Sequence, residues 1–105
     1  MQVKLSSRHM DVTEALRDYA ELKAGKLNKY YDRVHDVEVV FDGKKELTVV
    51  EMIVKAEHKH RFIAHSDPGD AYACVDECFA KLERQLSEHK KKFRNRKHSG
   101  NNGKR

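Results

Sequence analysis

The stretch DAYACVDECFAKLERQLSEHKKKFRNRK, Asp70 to Lys97, carries Val75, Phe79, Leu82, Leu86, His89 and Phe93 at steps of four, three, four, three and four. That spacing is one face of an α-helix, and Asp70 stands where its N-cap belongs. From Glu88 onward the same run changes character: eight Lys or Arg accompany one acid, whereas residues 1–87 hold fourteen bases and sixteen acids. A helix that buries one face therefore leaves the core as a cationic arm. Such a cluster attracts polyanions, so nucleic acid and anionic membrane surfaces are the first partners to weigh.

Upstream of this helix the pattern turns to period two. Phe62-Ile63-Ala64-His65 reads as a short strand ended by Asp67-Pro68-Gly69, and Leu47 to Glu57 as the longest strand. In the latter Val50, Met52, Val54 and Ala56 share one face, while Val49, Glu51, Ile53 and Lys55 share a part-polar face open to water. Val37, Val39 and Phe41 mark another strand, with Asp42-Gly43 as a turn signal behind it, and Val3 to Ser6 alternate as an opening strand. Between these, Thr13, or Asp11 with Glu14, can cap a helix running to about Tyr31, whose Leu16, Ala20, Ala24, Leu27 and Tyr31 fall on one arc. Gly25 sits off that arc and costs the helix about 1 kcal/mol relative to Ala.

The element order is β-α-β-β-β-α, which predicts an α+β, two-layer fold: a four-stranded sheet with both helices packed on one face. At 105 residues the chain has room for one modest core. The expected division is a folded unit over residues 1–94 and a disordered basic tail over 95–105. No apolar run approaches the roughly 18 residues of a membrane span, and MQVKLSSRHMD lacks the order of a signal peptide, so a cytoplasmic location is expected.

The charge pattern of the helices narrows the partner. In the first helix Lys26, Lys29 and Arg33 project within about 60° of one another, with Lys23 at the edge of the buried arc and Glu14, Asp18 and Glu21 on another flank. In the second, Lys81, Arg84, Lys91 and Lys92 share a broad side, diluted by Glu77 and Glu88. Side by side, the two helices can flank one basic groove, and Arg84 can grip a phosphate bidentately. The plainer reading is an ordinary solvated face. Membrane binding would need bulky apolar residues free to enter lipid, and Val75, Phe79, Leu82 and Leu86 are already required by the core.

Other chemistry finds little support. Cys74 and Cys78 are one helical turn apart near His58, His60 and His65, but small cysteines beside an apolar stripe are ordinarily core filler, and no metal site is expected. His89 reads as a packed, hydrogen-bonded imidazole. No GxSxG, phosphate-loop or HExxH pattern occurs, so neither catalysis nor a small-molecule substrate nor a cofactor is expected.

Several segments together resemble one family. HMDVTEALRDYAELKAGKLNKYYDR, VVEMIVKA and GDAYACVDECFAKLERQLSEHKKK, over essentially residues 1–93, are similar to the short ribosome hibernation promoting factors of the ribosome-associated inhibitor, or sigma factor modulation, family. The resemblance implies a fold like that of double-stranded RNA-binding domains. It also implies binding to the small ribosomal subunit in the decoding channel, rRNA contacts through basic helix residues, and steric block of tRNA and mRNA in stationary phase or stress. Matching positions are Lys23, Lys26, Lys81, Arg84, Lys90 and Lys92; Lys29, Lys91 and Arg94 follow from charge placement alone. Glu88 departs from the pattern by standing where relatives often carry a base. The chain also stops before the dimerisation domain of long members, so direct pairing of ribosomes is not expected, and a separate ribosome modulation factor is a further candidate partner. Two other readings stay open: a general module for structured RNA, and a protein-interaction regulator of a transcription factor.

Overall fold

The structure, a computed structural model, describes residues 1–44, 47–67 and 70–102, without the side chains of Ser66 and of 93–102. Its elements are β1 (Gln2–Arg8), α1 (Glu14–Gly25) continued by a 3₁₀ turn (Lys26–Lys29), β2 (Val34–Lys44), β3 (Leu47–Ala56), a second 3₁₀ turn (Glu57–Lys59), β4 (Arg61–Ser66) and α2 (Ala71–Asn102). The sheet runs in the order β1-β2-β3-β4, with β1 parallel to β2 and the other pairs antiparallel.

Register places the apolar residues on one face. Val3 opposes Val37, Leu5 opposes Val39 and Val39 opposes Met52, while Val37 opposes Val54 and Phe41 opposes Val50. Against this face pack Leu16, Ala20 and Ala24 of α1, Leu27 of the 3₁₀ turn, and Cys74, Val75, Cys78, Leu82 and Leu86 of α2, in one continuous buried cluster. Both helices therefore lie on the same side of the sheet, as the two-layer expectation requires. Each fully buried Leu or Val contributes about 1.5–3 kcal/mol through removal of apolar surface from water.

The caps are set by side chains. Thr13 accepts the Leu16 amide at 3.1 Å, and Asp70 accepts the Ala73 amide at 2.8 Å. Of the two candidate caps for α1, Thr13 is the one used.

Two expectations are corrected. The α1 helix ends at Gly25, not Tyr31, and the chain tightens into a 3₁₀ turn there. Glycine is the weakest non-proline helix former, and the tighter turn still buries Leu27 and Tyr31. Asp42-Gly43 is not a turn but the end of β2, paired with Val49 and Thr48. Its glycine answers a close approach: a Cβ on Gly43 would lie 2.7 Å from the His9 carbonyl oxygen and 2.9 Å from Met10 Cβ. A tail was expected to begin at residue 95, within the span of α2. The backbone of α2 is helical as far as Asn102; residues 103–105 lie outside the described residues, as do 45–46 and the Pro68-Gly69 part of the turn after β4.

The β3–β4 connection holds His58 and Lys59 at φ of 61° and 63°, a left-handed pair of non-glycine residues. It is tied down by Arg33, whose guanidinium donates to Glu57 at 2.7 Å while its carbonyl accepts the Glu57 amide at 3.0 Å.

Candidate nucleic-acid interface

The open face of the sheet mixes charges of both signs. Cross-strand register sets Lys4 beside Glu38, Arg8 beside Asp42, Asp36 beside Lys55 and Glu51 beside His65. Opposite charges on adjacent strands are favourable neighbours, and the one like-charge pair here, Lys55 beside Arg61, has Asp36 on the other side of Lys55. A further set of cations lies in the helical layer, where the 3₁₀ turn after α1 ends beside α2 and along α2 beyond that point.

The seam between the helices explains how that layer is held. The Tyr19 hydroxyl donates to Asp76, an interaction that raises the tyrosine's pKa above its ordinary value. Lys23 Nζ lies 3.5 Å from the same carboxylate and 4.9 Å from the Phe79 ring centroid. Tyr30 packs edge-on against Phe79 at 6.0 Å, and its pKa is raised by desolvation and then by the neighbouring Glu83. Further along, His89 is half-buried among Tyr31, Phe62 and His60, with ring centroids 4.9, 5.1 and 4.7 Å away. This ring cluster fixes the point at which α2 leaves the core.

Beyond that seam, Lys29 and Tyr30 from the end of the 3₁₀ turn meet Ser87, Lys90 and Lys91 of α2 around an open cleft of about 260 Å³. Lys90 lies one helical turn beyond Ser87 on the flank of α2 that faces α1, so the cleft follows directly from helix geometry. With three lysines among its lining residues, this concavity is a candidate seat for an anion the size of a phosphate or sugar-phosphate.

The remaining predicted site residues do not all join this cleft. Lys26 and Lys92 are exposed on the same helical layer. Arg84 lines a second cleft of about 380 Å³ on the outer side of α2, with Glu77, Ala80, Lys81 and Gln85. Lys81 is already engaged: its Nζ donates to the His65 carbonyl at 2.9 Å and sits 3.4 Å from Glu77. Gln85 likewise donates to the Ile63 carbonyl at 3.1 Å, so both side chains cap the outward carbonyls of the edge strand β4. Lys23 belongs to the helix seam. Arg33 is turned away to Glu57, because the chain has left the helix before it and the 100° spacing no longer applies. That pair holds the Glu57 carboxyl below its ordinary pKa and the guanidinium above its own. The backbone of Arg94 is helical; its side chain lies outside the described residues.

The sequence reading missed Tyr30 and Ser87 as cleft residues, although Ser87 shares a helix flank with Lys90. It also missed Asp76, whose partners lie on another helix and carry no local signal.

The cysteines sit in the core. Cys78 Sγ donates to the Val50 carbonyl at 3.3 Å, and burial pushes its thiol pKa up to about 12, which keeps it neutral and unreactive. Among the described residues, no group of three or more His, Cys, Asp or Glu is arranged to hold a metal ion, and no helix is long and apolar enough to cross a membrane.

Comparison with known proteins agrees with this architecture. A ribosome hibernation promoting factor from Azotobacter vinelandii is 37% identical over 92 residues, covering 88% of this chain and 85% of that protein. One from Escherichia coli K12 is 33% identical over 96 residues, covering 90% and 98%. Among solved structures, a ribosomal subunit interface protein from Coxiella burnetii superposes with a TM-score of 0.78 at 28% identity, over 86% of this chain and 98% of that one. The N-terminal domain of Thermus thermophilus Protein Y gives 0.75 at 27%, over 85% and 99%. The model of the family described as Sigma 54 modulation protein / S30EA ribosomal protein matches residues 3–94, nearly the whole folded unit, and the chain belongs to that family.

Proposed function

We propose that this chain is a ribosome hibernation factor that acts in the cytoplasm by binding alone, with no catalytic step. It seats its helical layer on rRNA of the small subunit, in the decoding channel, and excludes tRNA and mRNA while translation is shut down. Residues 1–94 supply the fit, and the cationic end of α2 supplies longer-range attraction to phosphate. The observation that carries this reading is the convergence of Lys29, Lys90 and Lys91 on one cleft at the root of that cationic end, in a chain of this family. Phosphate contacts of this kind position a protein on nucleic acid without reading bases, which suits occupation of a fixed site on a folded RNA. A separate ribosome modulation factor is a compatible further partner.

Sedimentation of the purified protein with vacant 30S, 50S and 70S particles tests this directly. Co-migration with 30S and 70S but not 50S is the expected result. Retention at the top of the gradient with all three particles would overturn the proposal.

A further inference from the structure

Resting on the reading of the helical layer as an RNA-binding face, we infer that Ser87 makes the Lys29–Lys90–Lys91 cleft selective for a ribose over a deoxyribose backbone. Cations alone cannot make that choice, since RNA and DNA present the same phosphate. The 2′-hydroxyl distinguishes them, and a neutral hydroxyl beside the phosphate seat can answer it as donor or as acceptor, where an ammonium can only donate.

The cleft supplies that group in the right company. It is lined by Lys29, Tyr30, Ser87, Lys90 and Lys91. The three lysines are fixed donors with no capacity to accept. Tyr30 has its pKa raised by desolvation and then by the neighbouring Glu83 carboxylate, which favours its hydroxyl staying protonated as a donor. Ser87 is exposed, and its hydroxyl is a two-way hydrogen-bonding group one helical turn from Lys90 and Lys91 in the lining. A volume of about 260 Å³ is below the roughly 300 Å³ at which pockets begin to enclose drug-sized ligands. It suits one sugar-phosphate unit with its base left outside, which makes the recognition independent of sequence. With a phosphate held by Lys90 and Lys91, the adjoining ribose lies over the turn of α2 that bears Ser87.

The test compares an RNA hairpin with a DNA hairpin of the same sequence, each bound by wild type, Ser87→Ala, Ser87→Thr and Lys90→Gln. Helix shape differs between the two hairpins, but that difference is common to all four proteins, so the change in the RNA-to-DNA affinity ratio isolates the side chain. The ratio is expected to fall about three- to tenfold in Ser87→Ala, the worth of one hydrogen bond, and to be retained in Ser87→Thr. Lys90→Gln is expected to weaken both hairpins alike. Alanine is the better helix former, so loss of fold does not confound the result. An unchanged ratio in Ser87→Ala, or the absence of any preference in wild type, would overturn the inference while leaving RNA binding intact. Failure of wild type to bind either hairpin or the ribosome would remove the RNA-binding reading itself.

Discussion

Lysines on this helical layer fall into two groups that sequence cannot separate, and salt dependence separates them. Lys90 and Lys91 line an open cleft, whereas Lys23 and Lys81 also contact groups of the protein itself: Asp76, the Phe79 ring, the His65 carbonyl and Glu77. Replacing either pair by Gln removes the same net charge. Each phosphate contact adds about 0.7 to 0.9 to the slope of log affinity against log salt, so losing Lys90 and Lys91 lowers it by about 1.4 to 1.8. Between 50 and 200 mM monovalent salt, the wild-type loss of affinity should then exceed that of Lys90→Gln/Lys91→Gln by roughly 7- to 12-fold. The double variant Lys23→Gln/Lys81→Gln should keep a slope near that of wild type, because neither ammonium releases counterions from phosphate. Equilibrium binding to 30S subunits across that salt range at constant magnesium reads both slopes. Equal flattening in the two double variants would refute the division, and so would an unchanged slope in Lys90→Gln/Lys91→Gln.

Two further outcomes follow from the fold. Gly43→Ala forces a Cβ to within 2.7 Å of the His9 carbonyl oxygen, backbone that cannot swing aside, and should cost about 1–3 kcal/mol in a urea titration; an unchanged midpoint would contradict the close approach. The Glu57 carboxyl has its pKa lowered by the hydrogen bond from Arg33, so its contribution to stability is present above the unfolded carboxylate pKa and disappears as pH falls through the depressed folded value. Glu57→Gln should therefore lower the thermal midpoint at pH 7 and match wild type in strong acid, and a difference that persisted at low pH would show that the pair acts through packing instead of charge.

Those parts of the fold that depend on local periodicity were legible in the chain. The stripe Val75, Phe79, Leu82, Leu86 set α2 and its buried face, and the alternation Val50, Met52, Val54, Ala56 set the face of β3 that the helices cover. Both cap residues, Thr13 and Asp70, also announced themselves, since capping is a contact within three residues. What failed did so for tertiary reasons. Asp42-Gly43 has the composition of a hairpin turn, yet the glycine serves the backbone of His9, which is distant in sequence. Arg33 looked like part of a basic helix face because a uniform 100° spacing was carried past Gly25, where the helix tightens and then stops. The protein contacts of Lys23 and Lys81 were illegible for the same reason, since only the folded chain brings Asp76 and the edge of β4 to them. Ser87 and Tyr30 were overlooked because neither carries charge, although chain geometry alone sets Ser87 one turn before Lys90.

Occlusion of the decoding channel is the central claim, and tRNA occupancy tests it most directly. With 30S subunits, a short mRNA and labelled initiator tRNA at equilibrium, adding this protein should release tRNA in proportion to the protein bound, approaching one tRNA lost per protein gained. A 30S particle carrying stoichiometric protein with its full complement of tRNA would contradict the account.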